Sequence, residues 1–141
     1  MQCLIYDKHD TRYAKLIGVE YIIGSRLFAS LPDEEKAYWH PHVYEVKAGL
    51  LSVPGVPRQA EDKIMERLVN TYGKTWHFWQ VDRGDTLPIG PAKLMSSYNK
   101  PEEVDWNLVA IRDQIFGSDT SKLAEHRKYI QSDPIDPKAT A

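Results

Sequence analysis

Residues 71–85 read Thr71-Tyr72-Gly73-Lys74-Thr75-Trp76-His77-Phe78-Trp79-Gln80-Val81-Asp82-Arg83-Gly84-Asp85. Thr75 to Val81 is dense in aromatic and β-branched residues, the usual material of a strand. Arg83-Gly84-Asp85 supplies the turn that ends it. Just upstream, Ile64, Met65, Leu68, Val69 and Tyr72 recur at three- and four-residue spacing. That spacing predicts an amphipathic helix over Gln59 to Tyr72, with Gly73 as its stop. A helix feeding directly into an aromatic strand sets the pattern for the whole chain.

Working outward, Gln2 to Tyr6 and Leu16 to Ile23 read as strands, separated by the polar loop Asp7-Lys8-His9-Asp10. Both parities of the Leu16 to Ile23 run carry bulk, so both of its faces are expected to be covered. Ser30-Leu31-Pro32-Asp33-Glu34-Glu35 predicts a short helix that starts on proline and acids and ends near Trp39, before Pro41. His42 to Lys47 reads as a strand. Leu50 to Val53 continues extended, and Pro54-Gly55-Val56-Pro57 is a turn. Ala92 to Tyr98 adds one more strand. Val104, Leu108, Ile111 and Ile115 mark a helix closed by Gly117, and a second helix covers Ser121 to Gln131. Short hairpins and unevenly placed helices predict an α+β fold: a largely antiparallel sheet with helices packed against it. Residues 1–132 are expected to form a single domain, and 133–141, with two prolines and no apolar cluster, a loose tail.

Composition narrows the function classes. With 141 residues and 42% hydrophobic content, the chain has enough apolar material for a core. A formal net charge of −2 and no basic patch argue against nucleic-acid binding. No apolar run approaches the ~20 residues of a transmembrane helix. The single cysteine, Cys3, cannot form an internal disulfide, which points to a reducing, cytoplasmic setting. Cys3 has no neighbouring base or cation in sequence to activate it. No glycine-rich phosphate loop is present, which disfavours a nucleotide enzyme.

Several strings resemble the oil body-associated proteins, long carried as a domain of unknown function. They are Gln2 to Asp7, Leu16 to Ile23, Trp39-His40-Pro41-His42-Val43-Tyr44-Glu45-Val46-Lys47, Pro54-Gly55-Val56-Pro57, and Thr71 to Asp85 leading into Leu87-Pro88-Ile89-Gly90. They cover roughly the first two thirds of the chain, in the family's order. The resemblance implies association with oil bodies or lipid droplets, with a binding or structural role. Its expected partner is the droplet surface or a droplet protein. It brings no catalytic residue set. Family members usually carry a further His- and Cys-containing segment ahead of the position matching Gln2. A site built partly from that segment is expected to be incomplete here.

The alternative is a small metal- or acid/base-dependent enzyme acting on a hydrophobic small molecule. No cofactor is expected under the first reading; a divalent metal is expected under this one. Two histidines at i and i+2 on an extended chain point the same way, so His40 and His42 could share an ion, with His77 as a third imidazole. This is similar to the His-x-His…Glu pattern of cupins. Glu45, however, follows His42 too closely and alternation puts it on the opposite face. The architectural alternative has His40 at a helix end and His42 hydrogen-bonded beside Tyr44. His77 is either a general base or a buried neutral ring. Tyr44, Trp76, His77 and Trp79 are the candidates for lining a ligand pocket, against the commoner role of strand aromatics as core.

Overall fold

The computed structural model of the protein describes residues 1–8 and 12–141. His9 and Asp10 of the expected polar loop lie outside the described residues. The chain divides into two compact units, each discontinuous in sequence. One comprises residues 1–40, 72–96 and 137–141, the other residues 41–71 and 97–136. No linker marks this division because the chain passes between the units several times. A single-domain reading finds no composition break to notice.

The first unit holds most of an antiparallel-type sheet. Its strands are β1 (Gln2–Tyr6), β2 (Leu16–Gly24), β3 (His40–Pro41), β4 (Thr71–His77) and β5 (Lys93–Met95). The strand order is β1-β2-β4-β3, with β5 paired to β4. β1 runs antiparallel to β2 from Gln2 opposite Tyr21 to Ile5 opposite Gly18, and slips register between Ile5 and Tyr6. β4 and β5 are antiparallel, with Trp76 opposite Leu94. Two short helices, α1 (Ser25–Ala29) and α2 (Asp33–Lys36), follow β2. Pro32 sits at the N-cap of α2, and three acids occupy its first turn, where the helix dipole favours them. Phe28 of α1 stacks on Tyr72 with ring centroids 3.8 Å apart. With Trp39 they form this unit's buried apolar cluster. The expected loose tail is tied down at its end: the Ala141 amide donates to the Trp39 carbonyl, and Lys138 pairs with Asp33.

The second unit is helical: α3 (Val43–Lys47), α4 (Arg58–Leu68), α5 (Trp106–Phe116) and α6 (Thr120–His126). Its core is Val46, Met65, Val69 and Ile130. The predicted strand over His42 to Lys47 is instead α3. Val43 and Val46 stand three apart and both pack on this core, and that packing outweighs the high β-propensity of valine. The predicted helix ends at Leu68, four residues early, because Thr71 and Tyr72 belong to β4. Gly73 is therefore a strand residue and not a helix stop. β4 in turn ends at His77, so Trp79 and Val81 lie beyond it.

Arg127 is the polar centre of this unit. Its fully buried side chain donates to the carbonyls of Val46 and Leu51 and lies 3.4 Å from the Glu61 carboxylate. Burial lowers the guanidinium pKa from its usual value, and Glu61 partly offsets that.

Candidate functional site

The histidine-rich stretch Trp39-His40-Pro41-His42 runs from the first unit into the second. In the first unit, β4 stands between β2 and β3 in the sheet order. A Cβ on Gly73 would fall 2.2 Å from Glu20 Oε1 and 2.5 Å from His40 Nε2. Glu20 from β2 and His40 from β3 thus meet over the notch that this glycine leaves. Their atoms lie 3.1 Å apart, with the His40 side chain 5% and the Glu20 side chain 17% exposed. The distance is that of an ordinary N–H···O hydrogen bond.

In the second unit His42 is also buried. It occupies the N-cap of α3 in a helical conformation, so the premise of an extended His40-Pro41-His42 segment stops at Pro41. Its Nδ1 lies 2.8 Å from the Thr71 hydroxyl. That hydroxyl donates its own proton to the Leu68 carbonyl at 2.6 Å. Thr71 must therefore accept from His42, which places the proton of the neutral ring on Nδ1 and makes Nε2 the acceptor. Outer-shell bonds of this kind fix the tautomer of metal-ligating histidines.

In the first unit, Glu20 and His40 belong to a group that could hold a metal ion. His77, the third imidazole of the sequence-based set, is not in it. Its ring packs on Gly18, where a Cβ would come within 2.5 Å of His77 Cδ2. Burial lowers the His77 pKa, with Asp82 acting weakly against it, which favours a neutral ring. Glu20 is the residue sequence reasoning missed. A lone carboxylate inside the apolar run Leu16 to Ile23 was the available signal, since a half-buried acid on a strand needs a partner.

The pocket candidates fare differently from one another. Trp76, His77 and Trp79 lie in the first unit and Tyr44 in the second. All four are half-buried. Trp79 donates its indole N–H to the Asp85 carbonyl, closing the Arg83-Gly84-Asp85 turn. Lys15 sits over its ring at 4.9 Å. A cavity of about 410 Å³ lies in the second unit between Ser52 to Arg58 and Phe116 to Leu123, and none of the four lines it. Cys3 is a weak nucleophile: burial first, and then Glu20, raise its thiol pKa.

Comparison with known proteins matches the chain to a family. The family model described as "Protein of unknown function (DUF1264)" matches residues 1–131. Oil body-associated protein 1A of Zea mays is 45% identical over 129 residues, 92% of this chain and 54% of that protein. Oil body-associated protein 1B of Arabidopsis thaliana is 43% identical, over 92% of this chain and 53% of its own length. Oil body-associated protein 2B of Zea mays is 46% identical over 86% of this chain and 49% of its own. The chain thus spans about half the length of the curated relatives it matches. No solved structure matches it.

Proposed function

The chain belongs to the family described as Protein of unknown function (DUF1264), and from that membership we propose a peripheral, non-catalytic protein of the oil-body surface, reached from the cytoplasm. The observation that carries this reading is similarity to oil body-associated proteins at 43–46% identity over most of the chain. Among the described residues no helix is long and apolar enough to cross a membrane, so the association proposed is with a surface. The raised thiol of Cys3 and the lowered pKa of the half-buried His77 fit a protein whose reactive side chains serve architecture. Co-flotation tests it. Protein mixed with triacylglycerol droplets coated in phosphatidylcholine should rise with the floating layer. Protein left wholly in the aqueous layer would contradict the reading.

A second reading is supported by the Glu20–His40 pair of the first unit. A divalent metal would take Glu20 and His40 as two of its ligands, with Glu20 in the place sequence reasoning gave to His77. Two ligands about 2.0–2.1 Å from a tetrahedral zinc stand roughly 3.3 Å apart. The 3.1 Å separation of Glu20 and His40 needs little widening to match. Metal analysis of untagged protein should find stoichiometric metal that Glu20→Ala removes. Metal absent from both proteins would exclude this reading and leave the first untouched.

A further inference from the structure

Helix α5 is built inside out. A helix on a globular protein normally turns its apolar stripe to the core, and α4 buries Met65 there, followed by its buried C-cap Val69. In α5, Leu108, Ile111 and Ile115 fall on one face at i, i+3 and i+7, yet they are 62%, 53% and 63% exposed. No residue of this helix is buried.

What holds α5 to its unit is its polar side. Arg112 donates to the Leu50 carbonyl and to Thr120. Asp113 accepts from the Thr120 amide at 2.7 Å, the Thr120 hydroxyl at 2.9 Å and Ser118 at 2.8 Å. Burial opposes ionisation of Asp113, but these hydrogen bonds and Arg112 outweigh it and hold the carboxyl well below the usual range. The helix ends are capped as well. Asp105 accepts from the Asn107 and Leu108 amides, and Gly117 closes the other end in the left-handed conformation. The helix is therefore well built and fixed in orientation, with its aliphatic stripe directed outward by two charged anchors.

We infer that this outward face, Leu108, Ile111 and Ile115, is the surface by which the chain docks on the phospholipid monolayer of an oil droplet. The inference rests on the oil-body reading above and says where on the molecule the contact is made. Charge selects the kind of surface. The only charged residues of α5, Arg112 and Asp113, are paired and engaged on the inner side, while Asn107, Ala110 and Gln114 beside the stripe are uncharged. Exposed acids flank the helix at Glu102, Glu103, Asp105 and Asp119, and the exposed bases at its ends, Lys100 and Lys122, are paired with Glu103 and Asp119. Basic residues are what attract a protein to anionic lipid, and this face has none to offer. A neutral monolayer, thinly covering triacylglycerol, matches a small uncharged aliphatic stripe. Exposed apolar faces of this kind mark interaction surfaces.

The test uses triacylglycerol droplets coated in phosphatidylcholine and the Leu108→Gln/Ile111→Gln/Ile115→Gln chain. Glutamine keeps helix propensity, so the melting temperature should not fall. Droplet partitioning should drop at least 30-fold, equivalent to about 2 kcal/mol at 1.4 kcal/mol per tenfold. The single variants Leu108→Gln and Ile115→Gln should each give part of that loss, which keeps the test valid if the triple variant folds poorly. Replacing exposed apolar residues elsewhere, Leu4→Gln with Leu27→Gln, should leave partitioning unchanged. Raising salt should not release the wild-type chain. Three results would overturn the inference: equal flotation of the triple variant, release by salt, or a wild-type dimer that the triple variant loses while still floating, which would make a second copy the occupant. If the wild-type chain itself fails to float, the oil-body reading is what falls.

Discussion

Replacing Gly73 with alanine puts one methyl group where Glu20 and His40 meet. The new Cβ would lie 2.2 Å from Glu20 Oε1, 2.5 Å from His40 Nε2 and 2.9 Å from His40 Cε1. Ordinary van der Waals contact begins near 3.4 Å, so both side chains must retreat by about 1 Å. Glu20 is flexible, but His40 is 4% exposed and has little room to move. Overpacking of this kind costs roughly 1–3 kcal/mol, and loss of the hydrogen bond to the Glu20 carboxylate adds about 1.5–3. Alanine returns only about 0.4–1 kcal/mol by restricting the unfolded chain. The net expectation is a loss of roughly 2–5 kcal/mol, measured by urea denaturation at 25 °C. In a Glu20→Ala background the nearest clash partner is gone and no hydrogen bond remains to break. There the same substitution should cost at least about 1 kcal/mol less, a coupling that a double-mutant cycle reads directly. A Gly73→Ala loss below about 0.5 kcal/mol, or equal losses in both backgrounds, would refute the notch.

Two further outcomes follow from the buried polar groups. Arg127→Met deletes the bonds to Val46 and Leu51 and leaves the Glu61 carboxylate without its buried guanidinium; the loss should be about 3–5 kcal/mol, and Arg127→Met/Glu61→Leu should recover part of it in the same denaturation assay. His77 has a folded-state pKa below its unfolded value of about 6.5, because burial disfavours its charge. The unfolded state then binds the proton first, so stability is full above that pH and falls as pH drops through it toward the folded pKa. His77→Phe should therefore lose less stability than wild type between pH 7.5 and 5, and a parallel pair of curves would contradict the assignment.

Local pattern made some elements legible in the sequence and tertiary context overrode it in others. β1, β2 and the helix stopped by Gly117 follow from periodicity and glycine placement, and the structure has them within a residue or two. His42 to Lys47 misled because valines at 43 and 46 suit either a strand or a helix turn, and only the core they meet decides. Gly73 misled because a glycine after an amphipathic run resembles a stop. Its actual use is to make room for two side chains from other strands, which no local window contains. The histidine pair was visible, but its partners were not: Glu20 and Thr71 are 20 and 29 residues away from His40 and His42 respectively. α5 is the opposite case. Its apolar stripe marks the helix in the sequence but does not declare which way it faces. The direction is set by Arg112 and Asp113, whose bonds reach Leu50, Ser118 and Thr120.

Amide hydrogen exchange of the chain, with and without phosphatidylcholine-coated triacylglycerol droplets, puts the docking face to the most direct trial. Added droplets should slow exchange across α5, around Leu108, Ile111 and Ile115, while β1, β2 and β4 exchange as before. Slowing confined to the sheet, or no slowing in α5 when the protein is droplet-bound, would contradict it.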